Sequence, residues 1–235
     1  MADSPGLFTL QGAFDPLSIT GCVLWLKSTS LALSDGDPVA TWTDSSGNGN
    51  DCAQGTAGNK PLYKVNIINS LPSVLFDGTD DFMTGTAGTS LSQPLSVFVV
   101  LQPTLSTASQ KTYATFIHNI AGARCFLCAK LSTNVWGTFA SADVSSGNAL
   151  TSGTSYLLEN TSLTGQLFLY QKGVQVASLA DNEVGSGAAM GLGKDLGNAG
   201  REYAGYISEV LWYNSILSSG NRILVENYLI AKYAL

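Results

Sequence analysis

Three aspartates, Asp77, Asp80 and Asp81, crowd one short stretch, LFDGTDDFMT, of a 235-residue chain. Clustered carboxylate oxygens are what a hard cation such as calcium requires, although calcium takes about six to eight oxygen ligands, more than one turn supplies. The stretch also reads as a turn. Asp77–Gly78 makes the bend, the aspartates bond local amides, and Phe76 and Phe82 anchor the flanks inward. These three are the candidate calcium ligands, and no cofactor is expected. A second oxygen-rich set, Asp44 with Asn48 and Asn50 in TWTDSSGNGND, reads as loop scaffolding.

Acid–base and nucleophilic chemistry has little to work with. His118 is the single histidine, so a nucleophile–His–acid triad would rest on it alone. In YATFIHNI it alternates with Phe116 and Ile120, which reads as a partly buried strand position. Cys125 and Cys128 form a C-x-x-C within RCFLCAKL, which reads as a strand. Residues three apart on a strand point to opposite faces, so the two thiols do not share a metal or act as a redox pair. With Cys22 and Cys52 they read as packed thiols rather than a disulfide framework. Glu209 in GYISEVLWYN shares a strand face with Ile207, Leu211 and Tyr213 under simple alternation. A carboxylate turned toward the protein needs a basic side chain or amides, so Glu209 reads as a structural clasp. Of Trp25, Trp42, Trp136 and Trp212, core packing is expected for three. Trp136, in STNVWGTFAS, is the best candidate for an exposed aromatic platform.

Charged residues make up 12% of the chain against 45% hydrophobic ones, and the net charge is −6. A core is easily built, and the surface must be covered by Ser, Thr, Asn, Gln and Gly. Soluble domains average about 25% charged residues, so this surface suits a protein held in an assembly or exposed outside a cell. The acidic balance and scattered basic residues exclude a nucleic-acid partner. No segment approaches the roughly 18 apolar residues that span a bilayer. The N-terminus MADSPGLFTLQGAFDPLSIT lacks the basic region and long apolar run of a secretory signal.

The elements that would position these residues are mostly strands. CVLWLKS, SVLFD, SVFVVLQP, RCFLCAKL, VWGTFAS and the hairpin LFLYQKGVQVASL, with its turn at Lys172–Gly173, are separated by small-residue loops. Turn signals every eight to twelve residues imply a β-sandwich or barrel. The glycine-rich MGLGKDLGNAG joins no strand to a helix and reads as a surface loop rather than a nucleotide site. The chain ends in one helix, capped by Ser218, with Ile223, Leu224, Tyr228 and Leu229 at helical spacing. Residues 1–14 form an N-terminal arm with the large apolar groups Phe8, Leu10 and Phe14, and residues 15–235 form one sandwich domain.

With LWLKS and TWTDSSGNGND, LPSVLFDGTDDFMT, LFLYQKGVQV, and GYISEVLWYN before VENYLIAKY in order, the chain resembles the laminin-G-like, concanavalin A-like lectin/glucanase superfamily in its bacterial and phage form. The resemblance implies an all-β jelly-roll sandwich of two antiparallel sheets with a short C-terminal helix. It also implies carbohydrate or protein binding, sometimes with calcium. The resembling glucanases carry E-x-D-x-x-E along one strand, whereas Glu159, Glu183, Glu202, Glu209 and Glu226 all lack the aspartate two residues on. An enzyme is therefore not expected. The expectation is a virion surface protein of a bacteriophage, a capsid decoration or fibre module. Capsid or tail proteins would be its partners through the arm, with cell-surface glycans and sister copies as further partners. The alternative is a lectin-like module of a bacterial protein.

Overall fold

The run LSVFVVLQP is apolar at nearly every position, and a strand of that kind must be covered on both faces. The computed structural model, which describes residues 14–86, 94–104, 125–129, 135–139, 143–163, 165–180, 189–194 and 202–235, shows how. In chain order the strands are β1 (Cys22–Lys27), β2 (Thr41–Trp42), β3 (Cys52–Ala53), β4 (Leu62–Ile68), β5 (Leu71–Asp77), β6 (Met83–Thr86) and β7 (Leu95–Pro103). They continue as β8 (Cys125–Ala129), β9 (Val135–Phe139), β10 (Asp143–Ala149), β11 (Tyr156–Leu163), β12 (Gln166–Gln171), β13 (Val174–Leu179), β14 (Ala189–Leu192) and β15 (Ala204–Tyr213). Helix α1 (Ser219–Tyr233) follows.

An eight-stranded antiparallel sheet runs β13-β12-β11-β7-β15-β5-β4, with β1 also pairing β15. Strands β5 and β1 divide one edge of β15 between them: β5 pairs Ala204–Ile207 and β1 pairs Glu209–Tyr213. Ser208 lies at the junction, where the β15–β7 register shifts, and its hydroxyl meets that of Ser73 at 2.6 Å. On one face of this sheet lie a three-stranded sheet, β10-β9-β8, and a four-stranded sheet, β14-β6-β3-β2. Together they enclose the main core, to which β7 contributes Leu95, Val97, Val99 and Leu101. The jelly-roll-like sandwich is as expected, with its second layer divided in two among the described residues.

The opposite face of the large sheet is covered by α1. Phe98 and Val100 of β7, Trp25 of β1, and Leu211 and Tyr213 of β15 pack there against Val225, Leu229 and Tyr233. Ser218 caps the helix by accepting from the Asn221 amide at 3.2 Å, as the sequence suggests. The buried stripe is different from the expected one, because Ile223 and Leu224 are 47% and 44% exposed. Val225, Leu229 and Tyr233 form the inward row instead, at strict i, i+4 spacing. Ile207 likewise lies in the main core with Val210 and Trp212, while Glu209 faces the helix. The bulge at Ser208 breaks the alternation that would have put Ile207 and Glu209 on one face.

Candidate functional site

Several chain reversals gather at one end of the sandwich. Asp77 at the end of β5 pairs with Ala204 at the start of β15, and Pro103 at the end of β7 pairs with Gly205. Met83 at the start of β6 pairs with Leu192 at the end of β14. The turn 77–82 therefore passes from the large sheet to the four-stranded sheet at this end, close to Lys194 and Glu202, which form an isolated bridge.

The turn is built from its own carboxylates. Asp77 Oδ1 accepts from the amides of Thr79, Asp80 and Asp81 at 2.7, 3.2 and 3.4 Å, and Asp81 Oδ2 accepts from the Asp77 amide at 3.0 Å. Oxygens of Asp77, Asp80 and Asp81 all lie within 4.8 Å of one another. Burial, and next the negative charge of Asp77, push the Asp81 carboxyl up to about 6. A bound cation would need about six to eight oxygens. Two of these three carboxylates are already engaged with local amides, so the described residues do not make a complete calcium cage.

Beside the turn, Phe82 is half-buried. Its amide donates to Asn59 O at 3.2 Å and its carbonyl accepts from Gln54 Nε2 at 2.9 Å. The Lys194 ammonium lies 5.1 Å from the Phe82 ring centre and 3.4 Å from the Glu202 carboxylate. Exposed Asp77, Thr79 and Asp80 thus stand next to an aromatic ring covered by a cation. Carboxylates accept from hydroxyls, the ammonium donates, and a ring face stacks on an apolar surface. That combination suits a neutral polyhydroxylated ligand.

The other predicted positions serve the fold. Asp44 is buried and accepts from the amides of Trp25, Ser46 and Asn50, while Asn48 and Asn50 donate to the carbonyls of Cys22 and Val23. This is the loop scaffold expected. Glu209 is a clasp indeed. Its carboxylate accepts from Trp25 Nε1 at 2.6 Å, Tyr228 Oη at 2.9 Å, Tyr233 Oη at 2.8 Å and Lys232 Nζ at 2.6 Å. Trp136 is not the exposed platform expected of it. It is 1% exposed, packs in the main core, and donates its indole N–H to Gln171 Oε1 at 2.9 Å. Trp25, Trp42 and Trp212 are buried as well. Strand β8 carries Cys125 and Cys128, and its register against β9 shifts between them. His118 and Glu183 lie outside the described residues.

One cluster escaped the sequence reading. Glu159 of β11 and Glu226 of α1 meet at a single arginine, Arg222, under the turn of the β12–β13 hairpin. The i, i+4 pair Arg222–Glu226 was a visible signal. Its partner Glu159, 63 residues away from Arg222, was not. Glu159, Glu202, Glu209 and Glu226 are all buried.

No protein-family model matches the chain, and no curated protein sequence does. Solved structures match the fold. Domain 4 of AbnA, an extracellular GH43 arabinanase from Geobacillus stearothermophilus, solved with arabinotriose, superposes with a TM-score of 0.62 at 16% identity, over 88% of this chain and 98% of that one. The binding domain of Paraclostridial Mosquitocidal Protein 1 gives 0.67 at 13% identity, over 92% and 53%. Trypanosoma rangeli sialidase in complex with sialic acid gives 0.60 at 12% identity, over 91% and 33%. The chain thus spans nearly all of the arabinanase domain, about half of the toxin domain and a third of the sialidase. The shared feature is the β-sandwich fold.

Proposed function

We propose that this chain is a non-enzymatic, lectin-like module that binds carbohydrate through the loops at the Asp77–Phe82 end. The observation that carries the reading is the overlap, over 88% of this chain and 98% of that one, with domain 4 of an arabinanase in complex with arabinotriose. The chemistry of the end agrees, since Asp77, Asp80 and Thr79 are exposed beside Phe82 and Lys194. Burial of the four described glutamates supports binding without hydrolysis. A glycan array, with and without calcium, tests this. Binding that is lost in Asp80→Ala and Phe82→Ala supports the site, and no glycan above background sinks the reading.

The module's setting is proposed to be the surface of a bacteriophage virion, with the arm as its attachment. Support comes from the weakly charged composition, 12% charged, and from the root of the arm, where Phe14 packs on Tyr228 of α1 at 6.1 Å. Deleting residues 2–13 is expected to abolish attachment to capsid or tail protein while the sandwich stays folded. Unchanged attachment would overturn this setting and leave the glycan reading standing.

A further inference from the structure

Helix α1 meets the hairpin β12–β13 through a cluster with one positive charge and two carboxyl groups. Arg222 Nη1 contacts Glu159 Oε2 at 3.4 Å and Gly173 O at 3.4 Å, and it makes a close ion pair with Glu226 Oε1. The Gly173 amide donates to Glu159 Oε1 at 3.2 Å. The guanidinium carbon lies 4.0 Å over the ring of Tyr170 on β12, which covers the cluster from that strand. The Glu159 and Glu226 carboxyl groups thus share one guanidinium in a buried site, and two carboxyl groups set against one cation favour a proton on one of them.

With both acids ionised, the cluster would hold a net negative charge at a largely buried site, where the Glu159 side chain is 0% and the Glu226 side chain 7% exposed. From β11 it is faced by Glu159, from α1 by Arg222 and Glu226, and from β12 by Tyr170. From the hairpin turn it is faced by the backbone of Gly173, whose neighbour Lys172 is exposed. The residue paired with Glu159 across β7 is the apolar Phe98. No second cation among the described residues enters the cluster.

We propose that Glu159 and Glu226 form a proton-binding latch that fastens the first turns of α1 to the β12–β13 hairpin, closed while one carboxyl is protonated and loosened when both are ionised. Burial, and next the charge of Glu226, raise the Glu159 carboxyl well above its ordinary 4.5. For a raised acid the stabilisation is complete below that ordinary value and is lost as pH rises through the folded-state value. Alkalinity, not acidity, opens the latch.

Carbon-13 carboxyl-labelled glutamate in the full chain reads the latch directly by NMR, and Asp81 is silent in that label. One glutamate midpoint at least about one unit above the ordinary value, absent in Glu159→Gln, is expected. All glutamates titrating at or below the ordinary value would overturn the proposal, and this wild-type titration holds even if the variant fails to fold. Hydrogen exchange supplies the second reading. Corrected for intrinsic rates, protection of the first α1 turns and of the 172–174 turn should fall by up to about tenfold per pH unit between about pH 5 and 8, relative to β7. Glu159→Gln should flatten that slope, and a flat slope in the wild type would also overturn the latch.

Discussion

Helix α1 crosses the large sheet over two buried carboxylate clusters, and their difference is instructive. Toward the helix C-terminus, Glu209 receives four donors from Trp25, Tyr228, Lys232 and Tyr233, so one anion meets one cation and three neutral hydrogen bonds. Toward its N-terminus, Glu159 and Glu226 share Arg222 as their one cation among the described residues, with the Gly173 amide as a neutral donor to Glu159. The first cluster is balanced, and losing its cation strands a buried charge. The second carries one acid too many, and losing that acid relieves it. Burial alone therefore does not say whether a carboxylate holds a structure together; the count of its partners does.

The comparison can be broken most forcefully at Lys232. Lys232→Met leaves the Glu209 carboxylate without its cation and is expected to destabilise the fold by about 3–5 kcal/mol in chemical denaturation. A loss well below 1 kcal/mol, on the order of a surface substitution, would mean the tyrosine and tryptophan donors suffice. Gly173→Ala probes the other end. Gly173 has φ +77°, and a Cβ there would come within 2.7 Å of Glu226 Oε2. A left-handed position resists a side chain, so a loss of about 1–2 kcal/mol is expected, together with a weakened helix–hairpin contact. The subtlest change is Glu226→Gln. It leaves Glu159 and Arg222 as a one-to-one pair, so stability at about pH 8 should stay within about 1 kcal/mol of wild type or rise. A fall as large as that of Lys232→Met would erase the distinction between the two clusters.

Much of this frame was legible from local pattern. The hairpin at Lys172–Gly173, the Ser218 cap and the two-faced burial of β7 follow from turn residues, cap chemistry and apolar runs, each set by neighbours in sequence. The inward role of Glu209 was legible too, because a lone carboxylate amid GYISEVLWYN has to be satisfied. Alternation failed where the backbone departs from it: the shift at Ser208 sends Ile207 into the main core. It also failed for Trp136, whose small neighbours suggested exposure while β9 in fact lies over the core. Helical spacing named Leu229 correctly and Leu224 wrongly, since apolar residues on both flanks leave the phase open. The Glu159–Arg222–Glu226 cluster joins a strand and a helix that only the assembled sheet brings together. The Asp77–Asp81 turn could be found in sequence as a cluster, but its commitment to local amides needed coordinates.

The divided edge of β15 also sets the order in which the chain can be assembled. Strand β15 lies between β7 on one side and both β1 and β5 on the other. The ladder of β1 closes onto residues nearly the whole chain away, Cys22 with Tyr213 and Lys27 with Glu209. A chain emerging from the ribosome therefore holds β1 without its β15 partner until residues 209–213 appear. Such distant closure makes folding slow, and it leaves apolar strand edges exposed through most of synthesis. Closure of the β1 ladder is thus a late event that waits on β15.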